Sequence, residues 1–137
     1  MIRLVPLLIG LLLTATPVAA QQRMVAVTFD DLPYQASAEA LCDPETALRL
    51  TTEFLAMLAP LDTRGTAFVN EGKGCDATRA ELMPTILNAW LDAGLDLGNH
   101  TASHINIHRN TVEAYLADVD AGAPYTRAAL QARGGRL

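Results

Sequence analysis

Three short apolar runs, Met24 to Phe29, Gly65 to Val69 and Leu95 to Gly98, divide this chain, and each is followed by a polar turn and an amphipathic stretch. Runs of that length bounded by turn residues read as buried strands, and the stretches between them as helices. The alternation predicts an α/β fold, because parallel neighbours need a long crossover and a helix usually supplies it. The first helix opens at Asp43-Pro44-Glu45, an N-cap followed by Pro and an acidic first turn. It places Ala47, Leu50, Phe54, Met57, Leu58 and Leu61 on one stripe. The second is expected to be capped by Asp76, to bury Leu82, Ile86, Leu87 and Trp90, and to stop at Gly94 in a left-handed terminal position. Asn110 with Glu113 suggests a capping box for the third, whose Val112, Tyr115, Leu116 and Val119 form a core stripe. Pro124 opens a last short helix that ends at Gly134-Gly135. Trp90, Tyr115, Phe54 and the methionines are expected to pack in the core and not to bind a cofactor.

Residues 1–20 read as a secretory signal peptide, not as part of the fold. Arg3 precedes the apolar Leu4 to Leu13, and Val18-Ala19-Ala20 supplies small residues before a cleavage point at Gln21. A retained membrane anchor is the alternative, but the run is short for ~30 Å of hydrocarbon. No later segment is apolar enough to cross a membrane. Residues 21–137 then form one small domain. The whole chain carries 10 Lys+Arg against 15 Asp+Glu, a net charge of −5. Arg3 is the only charge before Gln21, so cleavage makes the balance more acidic still. That composition argues against a nucleic-acid partner, whose footprint is basic, and is compatible with neutral carbohydrate. Secretion would carry Cys42 and Cys75 into an oxidising compartment. Each lies just upstream of a predicted helix, so they either pair or remain two separate thiols. Neither has the spacing of a thiolate metal site.

Functional groups gather at the C-terminal ends of parallel strands. Here Asp30 and Asp31 follow the first run, Asn70 and Glu71 the second, and His100 and His104 the third. If Thr101-Ala102-Ser103 made one helical turn, the two imidazoles would share a face. With Asp31 they would supply three ligands for a divalent ion, leaving room for water and substrate as catalytic sites do. Adjacent aspartates on an extended segment point opposite ways, which leaves Asp30 as a general base. His108, in an expected loop, reads as a surface residue.

Thr28-Phe29-Asp30-Asp31, Gly65-Thr66-Ala67-Phe68-Val69 and Gly98-Asn99-His100-Thr101-Ala102-Ser103-His104, in this order, resemble the polysaccharide deacetylase family (carbohydrate esterase family four) from about Val25 to Val119. The resemblance implies a distorted (β/α) barrel with parallel strands, present here as a part truncated after about three strand-helix units. It also implies N-deacetylation of acetylated amino sugars in a polymer such as peptidoglycan or a chitin-like chain, by a secreted or periplasmic enzyme. Asp30 takes the role of catalytic base. Asp31, His100 and His104 take those of ligands to a divalent metal, zinc foremost, with cobalt or another ion as alternatives. Thr101 matches a position whose hydroxyl steadies the loop bearing the histidines. The chain departs from the family pattern at Leu32-Pro33, where Gly usually follows the paired aspartates, and at Leu95, where His is common. The family's later Arg-x-Pro-aromatic and Leu-His motifs, which serve the oxyanion and the leaving group, find no match before Leu137. Alternative readings are a non-catalytic metal- or glycan-binding remnant, and an O-acetyl esterase or small-amide hydrolase with the same metal site.

Overall fold

The computed structural model describes residues 23–34 and 42–137. The expected leader lies outside these residues. Three strands, β1 (Thr28–Leu32), β2 (Thr66–Val69) and β3 (Asp96–Asn99), form a parallel sheet in the order β1-β2-β3. Four helices accompany them among the described residues: α1 (Pro44–Leu58), α2 (Asp76–Asp92), α3 (Val112–Ala121) and α4 (Pro124–Gln131). The expected α/β architecture with parallel strands is therefore present, as an open three-stranded sheet among the described residues.

The core lies between the sheet and helices α1, α2 and α4. Ala67 and Val69 of β2 are fully buried, and Ile86, Leu87 and Trp90 of α2 pack with them. Phe29, Phe54 and Trp90 form an aromatic triangle with ring centroids 5.5 to 5.6 Å apart, within the range where edge-on and tilted rings attract. These three residues join β1, α1 and α2. Phe68 covers Gly98, its register partner on β3; a Cβ at Gly98 would sit 2.6 Å from the Phe68 ring.

Local signals held in part. Asp43 caps α1 as expected, accepting from the amides of Glu45 and Thr46. Gly94 follows α2 at φ 79°, the left-handed terminator the sequence suggested. Cys42 and Cys75 form a disulfide, with Cα atoms 5.0 Å apart, tying the start of α1 to the start of α2.

Other expectations are corrected. Strand β1 begins at Thr28 and not at Met24; Met24 and Val25 are 92% and 87% exposed, because pairing with β2 starts only at Thr66. Cys75 holds the N-cap position of α2, and Asp76 stands inside the first turn, paired with Arg79 at 2.6 Å. Thr111, not Asn110, caps α3 by accepting from the Ala114 amide. The stripe of α3 is not core: no residue of the helix is buried, and Val112 and Leu116 are more than half exposed. On α1, Ala47 is buried but Met57 is solvent-facing, and Leu61, expected on the same stripe, is exposed in the 3₁₀ turn Ala59–Leu61 that follows the helix.

Candidate active site

The C-terminal edge of the sheet is built from three segments, and each departs from regular geometry. In β1, Phe29 pairs with Ala67 and Leu32 with Val69. Asp30 and Asp31 together oppose only Phe68, which makes a bulge. A bulge bends its strand and re-aims the side chains it carries. Asp31 is accordingly in the left-handed region at φ 68°; the two aspartates still alternate, and the break falls after them, where Leu32 is buried as well. The bulge leaves Asp30 exposed and turns Asp31 inward, with 19% of its side chain accessible.

The histidine segment is a loop, not the helical turn that would have placed His100 and His104 on one face. Thr101 and His104 both have positive φ, 65° and 57°. With Asp31 they account for three of the four non-glycine residues in that region among the described residues; Asp62 is the fourth. Such backbone costs energy and persists only where surroundings impose it. Here the surroundings are identifiable. Asn99 Oδ1 accepts from the Thr101 amide at 2.6 Å, and its Nδ2 donates to the Val119 carbonyl at 2.7 Å. Thr101 Oγ1 accepts from the His104 amide at 3.0 Å, the steadying role the resemblance implied. Asp118 accepts from the amide and hydroxyl of Ser103, while its own carbonyl accepts from the Ala102 amide. Burial works to raise the Asp118 carboxyl, but hydrogen bonds from Ser103, Thr101 and Ile105 outweigh it and hold the group below the usual carboxylate range.

The segment after β2 locks the loop from beneath. Asn70 is fully buried, and its Nδ2 donates to the carbonyls of His100 and Thr101. Glu71, 3% exposed, reaches α4, accepting from the amides of Tyr125 and Thr126 at 2.9 and 2.6 Å. A carboxylate at a helix N-terminus meets unpaired N–H groups and the positive end of the dipole. Gly72 and Gly122 press on Thr101 and Ala102 so closely that a Cβ at either would overlap their backbone.

The outcome is one convergence point. Asp31, His100 and His104 offer ligand atoms that all lie within 4.8 Å of one another, the only such group of three among the described residues. His100 Nε2 and His104 Nε2 stand 3.9 and 3.7 Å from the same oxygen, Asp31 Oδ1. Ligand atoms ~2.1 Å from a tetrahedral ion are ~3.4 Å apart. Each imidazole nitrogen would close on Asp31 Oδ1 by ~0.3–0.5 Å, and the widest spacing in the set, within 4.8 Å, by up to ~1.4 Å; one carboxylate with two imidazoles is a donor set that suits a divalent ion. The rings of His100 and His104 meet edge to face at 4.8 Å, and Phe68 backs His100 at 6.2 Å. A cleft of about 230 Å³ opens beside the group, lined by Asn70, Gly72, Lys73, Ala102, Ser103 and His104. A larger one, about 330 Å³, lies at the opposite end of the sheet near Asp62, Arg64 and Gly94, away from the ligand atoms.

Of the sequence-assigned residues, Asp31, His100 and His104 come together; Asp30 sits beside them in the chain but outside the group of ligand atoms. His108 is exposed in a 3₁₀ turn (Ile107–Arg109), as expected. Sequence reasoning missed Lys73, Asn99 and Asp118, and gave Asn70 no role beyond its place after β2. For Asn70 and Asn99 a signal existed: a short amide side chain at a strand's C-terminal end is a frequent partner for irregular backbone. Lys73 and Asp118 carried none.

The α/β sheet thus gathers, at its C-terminal edge, an aspartate and two histidines that could hold a divalent ion. Comparison with known proteins gives the family: the polysaccharide deacetylase model matches residues 18–134, and the chain belongs to that family. A search of curated proteins finds no match. Among solved structures, a family 4 carbohydrate esterase from Streptomyces lividans, in complex with acetate, is similar with a TM-score of 0.48 and 22% identity. The alignment covers 82% of this chain and 46% of that one, so the chain spans about half its length.

Proposed function

We propose that this chain carries the metal-binding half of a deacetylase site that removes acetyl groups from N-acetylated amino sugars in a polysaccharide, of the peptidoglycan or chitin-like class. The observation that supports this most directly is the convergence of Asp31 Oδ1, His100 Nε2 and His104 Nε2, held by backbone that ordinary loops avoid. These three residues would hold the ion, zinc being the one best suited to a carboxylate and two imidazoles. Bound there, it would polarise an acyl carbonyl and acidify water.

The chain's own residues do the rest. Asp30, exposed at the bulge, takes a proton from the attacking water. His100, backed by Phe68 and fixed through its carbonyl by Asn70, has little freedom to turn away. The cleft beside His104 is lined by Asn70, Gly72, Lys73, Ala102 and Ser103, whose backbone, hydroxyl and ammonium groups can hydrogen-bond the hydroxyls of a neutral sugar. The Cys42–Cys75 disulfide agrees with export by the N-terminal leader to a secreted or periplasmic location. The test is acetate release from N-acetylglucosamine oligomers by the zinc-loaded chain, beside Asp30→Asn. Activity that falls about 10²-fold or more in the variant supports the assignment. Release that Asp30→Asn leaves unchanged refutes Asp30 as base.

A further inference from the structure

Asp31 Oδ1, the oxygen on which both imidazoles converge, also accepts a hydrogen bond from an ammonium: Lys73 Nζ lies 3.0 Å away, and 3.1 Å from the Asp31 carbonyl. Lys73 is not a loose surface residue. Only 18% of its side chain is accessible. Its amide donates to the Asn70 carbonyl, and Arg79 binds the carbonyls of Gly72, Lys73 and Gly74, so the turn that carries it is pinned. The lysine is thus aimed at the carboxylate by its own backbone.

A carboxylate oxygen has two lone-pair positions, and a fixed ammonium on one of them partly neutralises the charge that draws a cation. An ammonium and a divalent ion on one oxygen also repel each other. We propose that Lys73 is a positioning residue that competes with the metal for Asp31 Oδ1, setting the affinity of the site below what its three ligands would give alone. The second bond, to the Asp31 carbonyl, lets the ammonium yield Oδ1 and stay tethered, so that the bulge keeps its shape whether or not an ion is held. The inference rests on the assignment of Asp31 as a ligand.

Competition of the leaderless chain against a chromophoric chelator, with zinc as the probe, reads the affinity directly. Lys73→Met is expected to bind zinc at least about tenfold more tightly than the unaltered chain, and Lys73→Arg within threefold of it. Lys73→Gln, which keeps a polar group, stands in if the Met variant does not fold. A gain in affinity is a result that mere damage to the loop cannot produce. If the unaltered chain binds zinc and the neutral variants bind it equally or more weakly, the competition is wrong and the ligand assignment survives. If none of the chains binds zinc, the ligand assignment fails and takes this inference with it.

Discussion

Asn70→Ala is the perturbation that reports most sharply on how the site is held. The side chain is fully buried, and its amide group serves the carbonyls of both His100 and Thr101. Truncation strands two acceptors, at ~1–3 kcal/mol each where water cannot reach them. It also removes Asn70 Oδ1, which has no protein partner, and so recovers part of that cost. The net expectation is about 2–3 kcal/mol, or roughly 6–12 °C in Tm for a domain of this size. The loop can avoid the penalty by lifting off, and it carries both histidines. Zinc affinity should therefore fall with stability, by ~10–100-fold, as when support behind a ligand is lost. Denaturant unfolding gives the first quantity and a zinc titration the second. An Asn70→Ala protein with unchanged midpoint and unchanged zinc affinity would refute the claim that this amide holds the loop.

Other expectations follow from the same framework. Glu71→Gln replaces a carboxylate that caps α4 with an amide unable to serve both N–H groups; a loss of about 2–3 kcal/mol in denaturant unfolding is expected. Reducing the Cys42–Cys75 bond, which spans 33 residues of sequence, should cost ~3–4 kcal/mol if chain entropy dominates, read from unfolding midpoints with and without reductant. The Asp118 carboxyl lies below its ordinary value in the folded chain, so its contribution is complete above about pH 4 and is lost as pH falls through the lowered value. Protection of the Ser103 amide from exchange should weaken in that acid window, and Asp118→Asn should remove the dependence. Gly122→Ala drives a methyl into the backbone of Thr101 and should destabilise by ~1–3 kcal/mol; a neutral result would mean the loop yields freely.

The parallel sheet and the three chemical segments were legible because each strand overlaps its apolar run, β2 and β3 ending at or one residue past it and β1 three residues past it, and each crossover bears a helix signal. Asp43, Gly94 and the inner face of α2 follow from local chemistry alone. The bulge was not legible: nothing in Thr-Phe-Asp-Asp-Leu states that two aspartates will oppose one phenylalanine, since that depends on where Leu32 pairs. The His100–His104 loop was misread for a related reason. Two histidines at i and i+4 suit a helical turn, but Asn99 and Asp118 from outside the segment, and Thr101 within it, offer its backbone better partners. The stripe on α3 has the right period, yet periodicity shows only that a face is apolar. It does not show that anything covers that face, and Val112 and Leu116 stay exposed.

The central claim is that Asp31, His100 and His104 form one ion site. Zinc stoichiometry of the folded chain, measured beside Asp31→Asn and His100→Ala, tests it most directly. The account predicts one ion per chain, with a loss of affinity of at least about 10²-fold in each variant while the fold is kept. Equal binding by all three proteins, or no stoichiometric binding by the unaltered chain, would contradict it.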